Sequence, residues 1–407
     1  SARTSDIETL RATKEESAIL KTFASLPEKA LSVLDTAAVT DPKRLLALLA
    51  KKVCGKKQQA LFLVPEIMLL PGLEAVFARY FPAEKFVVLH SQLSDGPYFE
   101  AWEKIRSGEA EIILSTRQGL FAPFKALGLV ALLEEQDESY KQWDASPRYD
   151  GKRVAGYLAF LHNAPFILTS GTPSIETRHH LKEKRFVPLK PLTRVPALSG
   201  AFEIVNLRLE RFRKNYSPLS QALIDAMGQT LRAKKQVLLY IHRQGMNAFS
   251  VCENCKNIFR CPESGHALTG NKDGTFRCLA CNYKTGSFPS CPSCGHLSFR
   301  GIGFGTERIE REVMKLFPGA RVFRADGSTM RTPGSAEKLY EAASQNRIDV
   351  LIGTQMILKD PGLPKLALIG MIDADSLLSF PDFRAYEKLF HLLSRAVKQT
   401  SLSAGTS

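Results

Sequence analysis

Seven of the chain's eight cysteines lie between residues 252 and 294, and their spacing is typical of a metal site. They form three C-x2-C pairs and one single residue: Cys252 with Cys255, Cys278 with Cys281, Cys291 with Cys294, and Cys261 alone. A C-x2-C turn brings two thiolates to one ion, and two such pairs complete a tetrahedral zinc site of the structural kind. The residues between the cysteines are mostly polar turn-formers. With so few large apolar side chains, this stretch cannot fold without metal. We therefore predict zinc; the alternative is a disulfide cluster, which would need a secretory context.

The chain carries 55 Lys and Arg against 41 Asp and Glu, a formal net charge of +14 and a pI near 9.4. A balance this basic indicates a polyanionic partner, of which nucleic acid is the commonest. The alternative is an ordinary globular protein whose basic side chains are only solvated. No apolar run approaches the roughly 20 residues that cross a bilayer, and the polar N-terminus does not resemble a signal peptide. We expect a cytoplasmic protein without a membrane partner.

Short apolar runs alternate with longer helical patterns, which is typical of parallel sheets covered by helices. The runs lie at residues 30–34, 60–64, 86–89, 111–115, 129–133 and 166–169, and then at 236–241, 321–324, 349–352 and 366–372. The predicted fold class is α/β, with two tandem parallel-sheet lobes and the cysteine-rich stretch inserted in the second. We place the first lobe at 1–192, a linker with the start of the second lobe at 193–249, the zinc-binding insert at 250–300, and the remainder of the second lobe at 301–407.

Several segments, in a fixed order, resemble motifs of the primosomal protein N-prime family, the replication-restart DNA helicases of superfamily 2. In the first half they are LVPEI at 63–67, LHSQLS at 89–94, TRQGLFAPF at 116–124, EEQ at 134–136, SYKQ at 139–142, PRY at 147–149 and TPS at 172–174. In the second half they are GTER at 305–308, GTQM at 353–356 and PDFRA at 381–385. The match covers residues 12–397, and the sequence leaves open whether the chain is a fragment. The resemblance implies two RecA-like lobes, forked DNA as a ligand and replication-restart proteins as partners.

In that family the cysteine-rich insert binds two zinc ions in a nested arrangement. The resemblance implies an outer site formed by Cys252, Cys255, Cys291 and Cys294. The inner site would use Cys261, Cys278 and Cys281, but its fourth position is Ser264, whose hydroxyl is a poor zinc ligand. His266 is either the replacement ligand or an ordinary solvated loop histidine. We expect one secure zinc site and a second, weaker one.

The resemblance also reveals departures at the nucleotide site. A phosphate-binding loop needs glycines for close backbone approach, a lysine, and a Ser or Thr hydroxyl that holds magnesium. Residues 38–44 read AVTDPKR, without a glycine. Asp41 adds a negative charge there and Pro42 lacks an amide donor. Lys43 is kept, but Arg44 stands where the hydroxyl belongs.

The acidic motif departs in the same direction. It reads LEEQ at 133–136, where the family begins with a metal-coordinating aspartate that Leu133 cannot replace. Glu134 and Glu135 remain as vestigial catalytic residues. Glu16 stands where the family has a glutamine that reads adenine, and the family's arginine-bearing stretch is replaced by AVKQ at 396–399. We expect only weak ATP and magnesium binding, through Lys43, and negligible hydrolysis, as in a pseudoenzyme.

The residues that would face DNA match the family's motifs more closely than the residues that would bind ATP. The positions matching DNA-facing motifs offer phosphate contacts or hydrogen bonds at Arg117, Lys141, Arg148, Thr354, Gln355 and Lys359. Stacking surfaces would come from Tyr140, Trp143 and Tyr149, because a base stacked on an aromatic ring contributes roughly 1–3 kcal/mol without sequence preference. The alternative is that these three rings pack inside the protein. The resulting prediction is sequence-independent, salt-sensitive binding to single-stranded or forked DNA.

Two other functions fit the same sequence. One is an active ATP-dependent 3′–5′ DNA helicase with divergent motifs, which a nucleotide-dependent rise in melting temperature would indicate. The other is a zinc-stabilised scaffold for replication proteins, which would capture partners after nuclease treatment.

Overall fold

The computed structural model describes residues 7–142, 146–190, 202–215, 217–241, 249–255, 257–265, 268–270, 275–278, 281, 283–286, 290–297, 299–302, 306–326, 329–330, 334–358, 363–378 and 382–404. The chain divides into two compact units, residues 1–199 and 200–407. Each unit is built on its own parallel sheet, which confirms the predicted fold class. The finer domain boundaries remain a prediction.

The first unit contains a seven-stranded sheet in the order β3-β4-β2-β5-β6-β1-β7, and all its pairings are parallel. Its strands are β1 (Leu31–Asp35), β2 (Gln59–Leu63), β3 (Phe86–Leu89), β4 (Ile112–Ser115), β5 (Leu127–Leu132), β6 (Phe166–Ser170) and β7 (Val187–Pro188). Its helices are α1 (Lys14–Ala24), α2 (Pro42–Cys54), α3 (Leu70–Ala78), α4 (Asp95–Ser107), α5 (Gly151–Leu161) and α6 (Ile175–Lys182).

Strand β2 shows how this sheet is buried on both faces. Ala60 and Phe62 pack into a core with residues of α1, α2 and α3. Leu61 and Leu63 point the other way, into a core with residues of α4 and α5. Because successive side chains of a strand alternate between faces, a strand covered on both sides must be apolar throughout, and every position of β2 is buried.

The carboxyl ends of β1, β5 and β6 meet at one edge of the sheet, because these strands are parallel and β6 lies between the other two. The segments that leave this edge are 36–41 after β1, 133–150 after β5 and 171–174 after β6. This is the edge at which open α/β sheets bind their ligands. The fold thus brings the loop before α2, the acidic motif and the TPS motif together.

The second unit contains strands β8 (Gln236–Ile241), β9 (Phe249–Cys252), β10 (Leu268–Gly270), β11 (Phe276–Cys278), β12 (Lys284–Thr285), β13 (Phe299–Ile302), β14 (Val322–Ala325), β15 (Val350–Gly353) and β16 (Leu366–Ile372). Its helices are α7 (Leu207–Phe212), α8 (Gln221–Arg232), α9 (Thr306–Leu316), α10 (Ser335–Ser344), α11 (Asp375–Leu378) and α12 (Ala385–Ala404). Four strands form a parallel sheet in the order β14-β15-β8-β16, and alternate residues of β8 pack with α8 and α9.

The cysteine-rich insert lies between β8 and α9. Its stem is the antiparallel pair β9 and β13, and inside it β10, β11 and β12 form a small antiparallel sheet. Its core is made of four cysteines with Phe259, Leu268 and Phe276. Among the residues described above, no helix combines the length and apolar character that crossing a membrane requires.

Candidate functional site

Residues at the end of the loop between β1 and α2 already occupy the N-terminus of α2. Asp41 caps α2, its carboxylate accepting a hydrogen bond from the Arg44 amide at 3.0 Å, and Pro42 occupies the first helical turn. The free amides at a helix N-terminus are what attract a phosphate. Here a carboxylate already occupies one of them and Pro42 has no N–H, so the turn is a poor phosphate cradle. Lys43 lies half-buried beside it.

Two residues that depart from the family pattern, Glu16 and Arg44, pair with each other. The Arg44 guanidinium donates to both carboxylate oxygens of Glu16, at 2.5 and 2.6 Å, and also to the Arg11 carbonyl. Glu16 is only 4% exposed, and it accepts a further hydrogen bond from the Thr13 amide at 2.8 Å. Desolvation alone would lower the pKa of Arg44, but the Glu16 carboxylate raises it above its usual value. Sequence reasoning identified both departures but missed that they form one ion pair, in which Glu16 is buried and Arg44 half-buried.

The acidic motif is arranged around Glu135, a carboxylate that is 1% exposed. The Lys152 ammonium, on the first turn of α5, lies 2.6 Å from it. The Ser174 amide and hydroxyl, before α6, donate to it at 2.6 and 3.1 Å. Glu135 therefore ties α5 and α6 to the end of β5. Sequence reasoning missed Lys152, which lies three residues after the PRY motif at 147–149.

The neighbours of Glu135 do not supply the missing metal ligand. Leu133 packs against the apolar core and has no oxygen in its side chain. Glu134, with a left-handed backbone (φ 52°), accepts a hydrogen bond from the Gln136 amide group at 2.7 Å. The Gln136 oxygen accepts in turn from the Ser170 hydroxyl at 2.6 Å. The polar side chains at this edge of the sheet therefore hydrogen-bond to one another.

The structure brings together the four thiols predicted for the outer metal site. The ligand atoms of Cys252, Cys255, Cys291 and Cys294 all lie within 4.8 Å of one another. Two of the sulfur–sulfur distances are 3.5 and 3.6 Å, whereas sulfurs about 2.3 Å from a tetrahedral zinc lie about 3.8 Å apart. The Ser293 amide donates to the Cys291 sulfur at 3.4 Å, and the His296 amide lowers the pKa of Cys294 to about 6. Four such sulfurs can hold a metal ion, and the set suits zinc.

The three remaining cysteines of the insert form a second cluster. Cys261, Cys278 and Cys281 also lie within 4.8 Å of one another, with 3.5 Å between the sulfurs of Cys261 and Cys281. The Ser264 hydroxyl lies 3.2 Å from the Cys278 sulfur, so it occupies the fourth corner. His266 lies outside the described residues. This cluster offers a metal three thiols and one neutral oxygen.

Part of the predicted DNA-facing set lies on one surface of the first unit. Arg117 begins the 3-10 turn after β4, Arg148 is exposed, and Tyr149 is half-buried. The half-buried Lys141 pairs with Asp150 in an isolated antiparallel bridge, which closes the loop that holds Arg148 and Tyr149. Trp143 lies outside the described residues.

Tyr140 is not on this surface. Its ring is 1% exposed, and its hydroxyl lies 2.9 Å from the Leu63 carbonyl and 2.6 Å from the Leu133 carbonyl. Burial raises the pKa of Tyr140 well above its usual value. A ring with no exposed face cannot stack on a base, so here the alternative of internal packing applies.

In the second unit, the predicted DNA-facing residues follow β15. Thr354 is 7% exposed, and Gln355 begins the 3-10 turn after it. The Gln355 side chain and the whole of Lys359 lie outside the described residues. Within the described residues, Thr354 is placed as a buried residue at the strand end rather than as a surface contact.

Comparisons with known proteins repeatedly find relatives of one name. No family model matches the chain. It is 34% identical over 347 residues to replication restart protein PriA of Bacillus subtilis, covering 85% of this chain and 43% of the relative. The Treponema pallidum protein of the same name is 35% identical, with 84% and 51% covered. That of Chlamydia pneumoniae is 32% identical, with 96% and 53% covered.

Solved structures support the fold alone, because their sequences are distant. The DUF1998 helicase MrfA bound to DNA superposes with a TM-score of 0.51 at 13% identity, covering 94% of this chain and 44% of that one. Mss116p bound to single-stranded RNA and AMP-PNP gives 0.53 at 10% identity, with 98% and 74% covered. The chain spans about half the length of the curated relatives it matches. Over that half, the chain is a homologue of the replication restart protein PriA.

Proposed function

We propose that this protein is a helicase-like, DNA-binding member of the replication-restart machinery that hydrolyses ATP negligibly. The sequence likeness to PriA supports the restart context and DNA as the ligand. One observation carries the proposed loss of ATP hydrolysis: the ion pair between the buried Glu16 and the half-buried Arg44, beside the loop where phosphates would bind.

Nucleotide binding lacks two of its usual magnesium contacts. Magnesium needs hard oxygen ligands, and Arg44 and Leu133 stand where a hydroxyl and a carboxylate belong. Arg44 cannot serve the phosphates instead, because its guanidinium is held by Glu16 and the Arg11 carbonyl. The Asp41 carboxylate at the start of α2 adds repulsion towards any phosphate. The remaining Lys43 offers a single charge, which supports weak binding at most.

DNA binding would use the surface with Arg117, Lys141 and Arg148. Each cation on a phosphate of a single strand contributes about −0.7 to the slope of log affinity against log salt, so three give about −2. Affinity should then fall about 15-fold between 50 and 200 mM salt. A DNA ligand and thiols that must stay reduced also fit the predicted cytoplasmic location.

For the metal, we propose zinc at both clusters with unequal affinity. The outer cluster offers four thiolates, which is the usual donor set of a structural zinc site. The inner cluster would need the Ser264 hydroxyl or a water as its fourth donor. The four-thiolate site should therefore hold its ion more tightly.

Two measurements test the proposed function. Phosphate release at saturating ATP with forked DNA should equal the background of the Lys43→Ala variant. A DNA-stimulated rate that this substitution abolishes would contradict the proposed loss of ATP hydrolysis.

Anisotropy of a labelled oligothymidine should show binding with a slope of log affinity against log salt of about −2, reduced in magnitude by about 0.7 in Arg148→Ala. The matched control is Arg106→Ala, an exposed arginine on α4 paired with Glu103. Absence of binding at 50 mM salt would refute the DNA function.

A scaffold for replication proteins is a second candidate, favoured by one observation. The start of α12 carries exposed apolar side chains at helical spacing: Tyr386 is 76% exposed, and Phe390 and Leu393 are each 40% exposed. Such a stripe is the kind of surface that an amphipathic helix offers to a partner's groove. Capture of replication proteins after nuclease treatment, lost in Tyr386→Asp, would support it.

A further inference from the structure

Phe121 is a large aromatic residue that core packing does not explain. It ends the 3-10 turn Arg117–Phe121, directly after β4. Its neighbours Leu120 and Ala122 are 4% and 8% exposed and belong to the core, whereas Phe121 is 56% exposed. Leu120 and Ala122 thus fix this part of the chain in the core, and the phenyl ring of Phe121 is exposed to solvent.

The ring is held in place by a second aromatic residue. The centroids of Phe121 and Tyr149 lie 5.4 Å apart with the ring planes at 90°. In such an edge-to-face contact, one ring presents its edge and the other one of its faces. Whichever role Phe121 has, Tyr149 leaves at least one face of the phenyl ring uncovered.

Tyr149 is itself held by its loop. Its carbonyl accepts a hydrogen bond from the Gln142 amide at 2.9 Å, and the Gln142 side chain donates to the Pro147 carbonyl at 2.9 Å. The following Asp150 caps α5, accepting from the amides of Lys152 and Arg153. These hydrogen bonds fix the backbone that carries the backing ring, and such preorganisation reduces the entropy that a stacking contact would lose on binding.

Two arginines accompany this aromatic pair. Arg117 begins the same turn as Phe121, and its charge lowers the pKa of Tyr149, although desolvation raises that pKa overall. Arg148 is exposed and adjacent to Tyr149 in sequence. An aromatic face flanked by arginines is the combination that binds single strands without reading their sequence, since rings stack on bases and arginines contact phosphates.

We propose that Phe121 is a base-stacking platform for single-stranded DNA, backed by Tyr149, with Arg117 and Arg148 at the flanking phosphates. This inference rests on the proposed DNA-binding function and adds to it a residue and a contact. It predicts that the loss of the ring weakens binding without changing its salt dependence, because stacking releases no counterions.

The test compares Phe121→Ala, Phe121→Leu and Phe121→Trp in the full chain, using a labelled oligothymidine and anisotropy. A stack of this kind implies a 5- to 100-fold loss of affinity in the alanine variant, about the range for one base on one ring. Leucine, which is apolar but not flat, should also lose affinity, and tryptophan should restore it. The salt slope should remain that of the unsubstituted protein. Quenching of 2-aminopurine in the oligonucleotide should weaken in step with affinity.

The control is Phe160→Ala. Phe160 is 53% exposed near the other end of α5, stacks on Tyr157 at 6.5 Å and has the Lys29 ammonium over its ring. It matches Phe121 in exposure, aromatic neighbour and nearby cation, so its removal should leave affinity unchanged. If the unsubstituted protein binds and Phe121→Ala binds within twofold of it, this inference fails while the DNA function stands. If the unsubstituted protein does not bind at low salt, both fail.

Discussion

Removal of Arg44 should destabilise the first unit far more than removal of an exposed arginine. Arg44→Ala leaves Glu16, 4% exposed, as a buried carboxylate without its cation. Orphaning one member of a buried pair costs about 3–5 kcal/mol. The Arg44 side chain is 24% exposed, so solvent screening reduces the expected loss in free energy of unfolding to about 2–3 kcal/mol. Glu16→Gln is milder, because its amide oxygen can still accept from the Thr13 amide.

The chain provides a selective probe of this loss. Its two tryptophans, Trp102 and Trp143, both belong to the first compact unit, so urea unfolding followed by tryptophan fluorescence reports on that unit. The matched control is Arg79→Ala, whose ion pair with Glu8 is 57% and 51% exposed and should contribute less than about 1 kcal/mol. A double-mutant cycle of Glu16→Gln with Arg44→Ala should give a coupling free energy above about 1.5 kcal/mol. Equal effects of Arg44→Ala and Arg79→Ala would refute the buried-pair interpretation.

Three further outcomes follow from the site. Lys152→Met removes the cation beside the buried Glu135 and should lower the free energy of unfolding of the first unit by about 2–4 kcal/mol, measured by the same fluorescence assay; a change under about 0.5 kcal/mol would show that the Ser174 hydrogen bonds suffice. Purification without added zinc should leave nearer one ion than two per chain, and Ser264→Cys should raise that number; an unchanged count would assign the fourth ligand elsewhere. Incubation with EDTA should release the ion of the inner cluster before that of the outer one, followed with a colorimetric zinc indicator, and Ser264→Cys should remove the difference.

The strands and the metal clusters could be anticipated because their signals are local. Parallel strands buried on both faces are continuous apolar runs, and the predicted runs coincide with β2, β4 and β6 to within a residue or two. Each C-x2-C pair, with two residues between its cysteines, forms a turn that brings the two sulfurs together, whatever the rest of the fold does. The lobes and the paired thiols were therefore accessible from these local patterns, whereas the division of the thiols into an outer and an inner set came from the resemblance to the family.

The pairings that decide the chemistry were not accessible, because they join distant segments. Glu16 and Arg44 are 28 positions apart, and Glu135 and Lys152 are 17 apart. Tyr140 lies in a polar segment that suggests exposure, yet it is buried because carbonyls at the ends of β2 and β5 accept its hydroxyl. Phe121 lies between two core residues and has an apolar side chain, so its outward orientation depends on the turn geometry.

The nesting of the two cysteine clusters fixes the order in which a growing polypeptide can complete them. The thiols of Cys261 and Cys281 are 20 positions apart, whereas those of Cys255 and Cys291 are 36 apart and enclose them. Closing the longer loop costs only about 0.5 kcal/mol more in chain entropy. During synthesis, however, Cys281 leaves the ribosome ten residues before Cys291. All thiols of the three-thiol cluster are therefore available to the nascent chain before those of the four-thiol cluster, which can close around it only afterwards.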